Sequence, residues 1–308
     1  MVGADRRLLV LGGTGFLGTH LCSVASLRWR VVAAARRPEL LPAFAHGERV
    51  EVATLDALEP GALRRLLDLH RPDVVVNAAA FSRIADCERL PELAGLLNAV
   101  FPALVAQLCR ARASRLVHVS TDLVFGARPP HAWRFTEDDR PAPSSVYGAT
   151  KAGGEKRVLA LMPDALVVRL PLLWGDSGGR ELGASDPVLA AIERGEVPKL
   201  FVDEFRTPLD VGNAARALLE LVERAERGIL HVAGPERLSR HELARLLLGG
   251  RTERIQAARR ADLGLASARP GDVSLDASRA RAFLETPLLG PTRALHGAGG
   301  GSANAASA

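Results

Sequence analysis

The sequence has few of the residues that hold small or metal-dependent folds together. Its 308 residues include only three cysteines, which lie far apart at Cys22, Cys87 and Cys109 and form no CxxC pair. This spacing argues against a disulfide framework or a zinc site and favours a reducing compartment. Aromatic residues make up 4% of the chain, but 47% of it is hydrophobic and 24% is charged, which is ordinary globular composition.

Long hydrophobic runs and charge clusters of one sign are also missing. No apolar run approaches the ~20 residues that a helix needs to cross a bilayer, and the run that ends at Gly12 is too short for a signal peptide. The formal net charge is +5, but the basic residues alternate with acids along the chain, whereas nucleic-acid binders cluster their charge. We therefore predict a cytoplasmic protein that binds neither nucleic acid nor membranes.

Strand and helix patterns alternate in the first half of the chain. Apolar strands are predicted at residues 7–11, 30–35, 49–53, 73–78 and 115–120, with helical patterns such as 61–70 and 91–113 between them. This alternation is typical of a parallel sheet covered by helices on both faces. The sequence predicts an α/β fold: a doubly wound parallel Rossmann sheet with a smaller C-terminal α/β substrate-binding part.

The second half of the chain is less regular. It contains predicted strands at 165–170 and 229–233 and predicted helices at 210–227 and 239–248. We expect an NAD(P)-binding domain at residues 1–170 plus about 200–235, and a substrate-binding part at about 171–199 and 236–290. Residues 297–308 are of low complexity and are predicted to be a disordered tail.

A glycine-rich turn follows the first strand and opens a helix, in the order Gly12-Gly13-Thr14-Gly15-Phe16-Leu17-Gly18. The three spaced glycines permit a tight turn, close approach of a pyrophosphate and packing of the helix on the sheet. The helix N-terminus then presents free N–H groups to the phosphates. The turn therefore predicts a dinucleotide site, although glycine-rich turns are also common as purely structural elements.

The end of the second strand discriminates between the two nicotinamide dinucleotides. NAD sites place an acid there for the ribose 2′-hydroxyl, whereas NADP sites place a cation near the 2′-phosphate. This chain has Arg36 and Arg37 there and no acid before Glu39, so NADP is favoured and NAD stays possible. Asp56, after the third strand, is a candidate acceptor for the adenine amino group; the alternative is a helix-capping aspartate.

Tyr147, the only tyrosine of the chain, lies four residues before Lys151, one of only three lysines. On a helix, residues i and i+4 share a face. A nearby ammonium group stabilises a phenolate and brings the tyrosine pKa from ~10 towards neutrality, which suits acid–base catalysis. Thr121 stands at the end of a strand, where ligands bind in open α/β sheets, and we prefer it to Ser120 as a hydrogen-bond donor to a substrate carbonyl.

In this order, the glycine triplet, residues 77–80, Thr121 and the Tyr147–Lys151 pair resemble the extended short-chain dehydrogenase/reductase family. Further segments, at 86–88, 97–99, 120–125, 154–156, 269–270 and 274–278, resemble the dTDP-4-dehydrorhamnose reductases of that family. Two segments depart from that pattern. Leu172 replaces an expected sugar-contacting aromatic residue, and residues 202–208 are closer to a general family pattern.

The resemblance implies a role for each matching residue. Tyr147 would donate the proton and Thr121 would orient the carbonyl, while Lys151 would lower the pKa of Tyr147 and hold the nicotinamide ribose. Asp122 would touch the sugar, and Ala78, Ala79 and Ala80 would line the cofactor. The implied reaction is the NADPH-dependent reduction of a nucleotide-linked 4-keto-6-deoxysugar, and a homodimer is a possibility.

Two alternatives remain open from the sequence. The first is a sugar-nucleotide epimerase or dehydratase of the same family. Dehydratases usually carry an Asp-Glu pair after the threonine, but here Leu123 follows Asp122. The second is a non-catalytic, NADP-binding regulatory subunit, as in the β subunit of methionine adenosyltransferase. An intact set of Thr121, Tyr147 and Lys151 favours catalysis.

Overall fold

Parallel strands form the centre of the molecule. The computed structural model describes residues 6–126, 134–264 and 269–298. In chain order, the strands are β1 (Arg7–Leu11), β2 (Arg30–Ala35), β3 (Val50–Thr54), β4 (Val74–Asn77), β5 (Arg115–Thr121), β6 (Leu166–Leu170), β7 (Leu173–Trp174), β8 (Lys199–Phe201), β9 (Phe205–Arg206), β10 (Leu209–Asp210), β11 (Gly228–His231), β12 (Leu238–Ser239) and β13 (Gln256–Ala258). Seven of them form one parallel sheet in the order β11-β6-β5-β4-β1-β2-β3. The predicted parallel strands are confirmed to within about two residues at each end.

Helices cover both faces of this sheet. They are α1 (Phe16–Ala25), α2 (Ala62–His70), α3 (Ile84–Arg89), α4 (Pro91–Gly95), α5 (Phe101–Ala111), α6 (Val146–Leu161), α7 (Asp186–Glu193), α8 (Val211–Glu223), α9 (Arg240–Leu247), α10 (Ser278–Arg281) and α11 (Pro291–Ala298). Along β1, Leu8 and Val10 pack with α1 and α8, whereas Leu9 and Leu11 pack with α2 and α5. Because both faces are covered, the inner strands read as continuous apolar runs. The doubly wound Rossmann fold is therefore confirmed.

The helical run from Pro91 to Ala111 corrects one expectation. It has 21 residues, with a π-helical turn at Leu96–Val100 between α4 and α5, and by length and composition alone it could cross a membrane. In the sequence, polar residues such as Glu92 and Asn98 interrupt this segment, so it does not stand out as one apolar run. Half of its most apolar window is buried, and Phe101 and Val105 pack in the core on one face of the sheet. This is also the pattern of a core helix in a soluble α/β fold.

Short strand pairs build the rest of the second half. β10 pairs with β7, β12 with β9, and β13 with β8. A capping box starts α9, since the Ser239 hydroxyl accepts from the N–H of Glu242 and the Glu242 carboxylate accepts from the N–H of Ser239. Of the predicted tail, residues 297 and 298 end α11, and residues 299–308 lie outside the described residues.

Candidate functional site

The switch point of the sheet lies between β1 and β4, because the strand order proceeds in opposite directions on the two sides of this pair. In open α/β sheets, ligands bind outside the carboxyl ends of the strands at such a point. The glycine turn after β1 and the segment after β4 meet there. A Cβ atom on Gly12, whose φ is +81°, would lie 2.8 Å from the Cα of Ala79. The sequence therefore needs glycine at position 12.

The same turn leaves the start of α1 free for an anion. A Cβ on Gly18 would lie 2.1 Å from the carbonyl oxygen of Gly12, so the helix reaches this position only with glycine there. Gly15 is the N-cap of α1 and supplies no side-chain cap, and the first turn carries no acid. The first N–H groups of the helix therefore have no intrahelical partner and suit a phosphate. This cradle of glycines fits a dinucleotide diphosphate. Around the turn lie the other residues predicted to bind the cofactor there: Thr14, Phe16, Leu17, Ala78 and Ala80.

The residues predicted to recognise the adenosine part of the dinucleotide follow the ends of β2 and β3. The side chains of Arg36 and Arg37 are exposed and form no ion pair with any described residue. Asp56 accepts a hydrogen bond of 2.9 Å from the N–H of Leu58, which closes a turn. The helix-cap alternative for Asp56 is wrong, because α2 begins at Ala62 with Gly61 as its N-cap.

Thr121 and Asp122 stand where β5 ends. The Thr121 hydroxyl donates to Oδ1 of Asp122 over 3.0 Å and accepts from the N–H of Leu123 over 3.2 Å. Asp122 is buried, and its Oδ2 accepts no hydrogen bond from the described residues. Burial raises the pKa of Asp122 to about 6, although the guanidinium of Arg206, 3.6 Å away, lowers it. The carboxylate is thus mainly ionised at neutral pH.

Helix α6 brings Tyr147 and Lys151 to the same place. Ser145 caps the helix by accepting from the N–H of Gly148 over 3.1 Å. A Cβ on Gly148 would lie 2.0 Å from the carbonyl oxygen of Leu123, so glycine lets the first turn approach the end of β5 closely. The side chain of Tyr147 then lies beside the Thr121 hydroxyl, near enough for Thr121 to act on the pKa of the phenol. The structure therefore brings together the three residues that the sequence analysis selected as catalytic.

Electrostatics keep Tyr147 protonated. Burial, and then the carboxylate of Asp122, raise the pKa of Tyr147 above its ordinary value, while the neighbouring Thr121 hydroxyl lowers it. Lys151 is not among the groups that shift this pKa, contrary to the expectation that it lowers it. Its ammonium group donates instead to the carbonyl oxygen of Val119 over 2.7 Å. Burial lowers the pKa of Lys151 to about 8, and the nearby Glu155 carboxylate raises it.

An arginine cluster beside Asp122, formed by Arg206, Arg240 and Arg269, was missed by the sequence analysis. Arg206 is buried and lies 3.5 Å from Glu204, and Arg269 reaches the same carboxylate at 3.3 Å. Burial and the other two arginines lower the pKa of Arg240, whereas Glu204 raises it. In the sequence, residues 202–208 and 269–270 were noted only for how they compare with the family pattern, and no role was assigned to them. With two acids against three arginines, the cluster carries net positive charge.

Of two other positions discussed from the sequence, Ser120 is buried and Leu172 is half-buried. The hydroxyl of Ser120 finds no hydrogen-bond partner among the described residues, whereas Thr121 contacts both Asp122 and Tyr147. This geometry favours Thr121 over Ser120. Leu172, at the position of the expected aromatic residue, packs with the apolar cluster that contains Trp174.

The comparisons with known proteins agree with this geometry. The RmlD substrate binding domain family matches residues 6–295. The dTDP-4-dehydrorhamnose reductase of Streptomyces griseus is 32% identical, over 92% of this chain and 89% of its own length. The probable low-salt glycan biosynthesis reductase Agl14 of Haloferax volcanii is also 32% identical, over 75% and 78%.

Solved structures and a relative of another kind extend the comparison. A hypothetical dTDP-4-dehydrorhamnose reductase from Sulfolobus tokodaii is 30% identical and superposes with a TM-score of 0.77 over 92% of this chain and 96% of its own. The Bacillus anthracis reductase, in complex with NADP, shares the fold at 22% identity and a TM-score of 0.76, over 95% and 98%. Methionine adenosyltransferase 2 subunit beta of Xenopus laevis is 30% identical over 78% of this chain and 70% of its own length.

Proposed function

Because the chain belongs to the RmlD substrate binding domain family, we propose that it is an NADPH-dependent reductase of a nucleotide-linked 4-keto-6-deoxysugar. The carrying observation is that Tyr147 lies beside the Thr121 hydroxyl, close enough for Thr121 to act on its pKa, with Lys151 one turn further along α6. These groups stand at the carboxyl end of β5, beside the glycine cradle at the switch point. Relatives named dTDP-4-dehydrorhamnose reductase support the same substrate class.

The cofactor site favours NADP. The glycine cradle and the uncapped start of α1 accommodate the diphosphate, and Arg36 and Arg37 are placed at the end of β2 for a 2′-phosphate. A reductase of this fold from Bacillus anthracis holds NADP. When bound, NADPH supplies the hydride that reduces the carbonyl carbon.

Tyr147 is the proton donor. Because its pKa is raised, the phenol is protonated at neutral pH and ready to give its proton to the carbonyl oxygen. With substrate bound, the Thr121 hydroxyl turns from Oδ1 of Asp122 to donate to the same oxygen and hold it in place. Lys151, with a pKa of about 8, is mostly charged at pH 7 and is the residue we assign to hold the nicotinamide ribose.

The surrounding charges suit a nucleotide-diphosphate sugar. Asp122 is buried with one oxygen that accepts no hydrogen bond from the described residues, so a sugar hydroxyl is the partner we assign to it. The arginine cluster supplies positive charge for the diphosphate. We assign cofactor binding to residues 1–170 plus about 200–235, and substrate binding to about 171–199 and 236–290. A cytoplasmic location, a homodimer, and no binding to nucleic acid or membranes are part of the same proposal.

Two other functions have some support. An epimerase or dehydratase of this family is less favoured, because Leu123 stands where dehydratases usually have a second acid. The similarity to methionine adenosyltransferase 2 subunit beta supports a regulatory role as the other alternative. We favour catalysis because Thr121, Tyr147 and Lys151 are assembled in one site.

The test is oxidation of NADPH and NADH, followed by absorbance, with a panel of nucleotide-linked 4-keto-6-deoxysugars. We expect one sugar to be turned over with NADPH, and kcat to fall about 10²–10⁴-fold in Tyr147→Phe. Lys156→Met, a change of an exposed lysine on the same helix, is the matched control and keeps the activity. Tight cofactor binding without reduction of any sugar would overturn the proposal and direct the work to epimerisation and to partner proteins.

A further inference from the structure

A loop from the second half of the chain lies across the cofactor-binding turn. It covers residues 175–185, between β7 and α7, and we call it the crossing loop. Gly183 of this loop packs so closely on Phe16 that a Cβ would lie 2.3 Å from the ring. His20, on the next turn of α1, contacts the carbonyl oxygen of Asp176 over 2.8 Å. The crossing loop therefore rests directly on the start of α1.

Arg180 is the residue of the crossing loop that reaches into the glycine turn. Its Nη1 donates to the carbonyl oxygen of Thr14 over 2.6 Å, and its Nη2 donates to the hydroxyl of Thr19 over 3.1 Å. Its Nε donates to the carbonyl oxygen of Ser177 over 2.8 Å. All three acceptors are neutral, and Arg180 forms no ion pair with any described carboxylate. A half-buried guanidinium thus stands at the dinucleotide turn with no carboxylate of the described residues in ion-pair contact, although Asp176 acts on it from further away.

The crossing loop is itself firmly built. Ser177 is fully buried, and its hydroxyl accepts from the N–H groups of Arg180 and Leu182, each over 3.2 Å. Asp186 accepts from both the N–H and the hydroxyl of Ser177. Ser185 bonds both the N–H and the carbonyl oxygen of Gly175, closing the base of the loop. Arg180 is therefore presented from a fixed support rather than from a loose surface segment.

We propose that Arg180 is a ligand of the cofactor diphosphate, contributed across the cleft by the substrate-binding half. This inference rests on the proposed function, because it assumes that the glycine turn binds a dinucleotide. A guanidinium has five N–H donors, of which the three bonds described use three, so donors remain for an anion. Hydrogen bonds to charged oxygens are stronger than those to neutral carbonyls, so phosphate oxygens compete well for this group.

The proposal gives Arg180 a task that differs from that of Arg36 and Arg37. Those two side chains stand at the end of β2, where the adenosine ribose is expected, whereas Arg180 touches Thr14 and Thr19 beside the phosphate cradle. Loss of Arg180 must therefore weaken ligands that contain the diphosphate and spare ligands that contain only the adenosine 2′-phosphate.

The experiment is isothermal titration of the full chain with NADP⁺ and with 2′-phospho-ADP-ribose, and displacement of NADPH by adenosine 2′-monophosphate. The variants are Arg180→Gln and Arg180→Lys. The control is Arg194→Gln, whose side chain forms only exposed ion pairs with Glu181 and Glu196 on the same half. We expect about ten- to hundredfold weaker Kd values for both diphosphate ligands in Arg180→Gln. We expect a smaller loss in Arg180→Lys, and no change for the monophosphate or in the control.

Each other result overturns the inference in a distinct way. Unchanged Kd values in both Arg180 variants show that Arg180 binds no diphosphate and only connects the crossing loop to the glycine turn. An equal loss for all three ligands, with a lower Tm, shows that it acts through the shape of the turn. If the wild-type chain binds neither NADP⁺ nor NAD⁺, the proposed function itself fails and the inference fails with it.

Discussion

Glu155 and Arg169 form a bidentate ion pair in the interior, with N–O distances of 3.0 and 2.8 Å and both side chains less than 5% exposed. Nη1 of Arg169 lies 3.3 Å from Nε2 of His231. Because arginine only donates, this nitrogen is the acceptor, and Nδ1 of His231 donates to the carbonyl oxygen of Asp276 over 3.1 Å. Burial and Arg169 lower the pKa of His231 to about 4, so the imidazole is neutral. Glu155, Arg169 and His231 thus join α6, the helix of Tyr147 and Lys151, to β6 and β11.

Glu155→Gln is expected to destabilise the protein by about 3–5 kcal/mol, because it leaves the guanidinium of Arg169 buried without its counter-charge. The free energy of unfolding in urea measures this. The double variant Glu155→Leu/Arg169→Met removes both charges and is expected to regain most of the loss. A single variant as stable as the wild type would show that the pair contributes little.

The rate of the reductase is expected to fall as the pH rises through about 8. The pKa of Lys151 is lowered to about 8, so its ammonium form, to which we assign the nicotinamide ribose, is lost above that pH. Tyr147 does not limit the rate there, because its own pKa is raised. The measurement is kcat/KM against pH. Since the Glu155 carboxylate raises the pKa of Lys151, the basic limb is expected to move to lower pH in Glu155→Gln. A basic limb at the same pH in both proteins would contradict this assignment.

Arg36→Ser/Arg37→Ser is expected to weaken NADPH binding roughly ten- to hundredfold and to leave NADH binding nearly unchanged. The reason is that a cation at the end of β2 recognises the 2′-phosphate, which NADH lacks. The Kd values of both dinucleotides, measured by fluorescence, decide the question. Arg64→Ser, a change of an exposed arginine on α2, is the control. Equal losses of affinity for NADH and NADPH would show that Arg36 and Arg37 do not select between the two dinucleotides.

The sequence predicted the parts of the molecule that depend on local pattern. The inner strands were found because they are apolar on both faces, and Tyr147 and Lys151 because one helical turn separates them. The arginine cluster could not be predicted, since Arg206, Arg240 and Arg269 come from three separate segments. These segments are brought together by the β9–β12 pairing and by an isolated bridge to the segment after residue 269. The Lys151 contact with Val119 was missed because it joins a helix to a strand 32 residues earlier.

The position of β11 in the sheet bears on how the chain is made in the cell. β6 ends at Leu170, but its outer neighbour β11 begins only at Gly228, 58 residues further along the chain. At ~5–20 residues per second, a ribosome needs roughly 3–12 s to cover that distance. During this interval the edge of β6, a wholly buried strand in the finished protein, has no partner. Unpaired apolar edges recruit other strands, so newly made chains on one messenger are at risk of associating through β6 until β11 emerges.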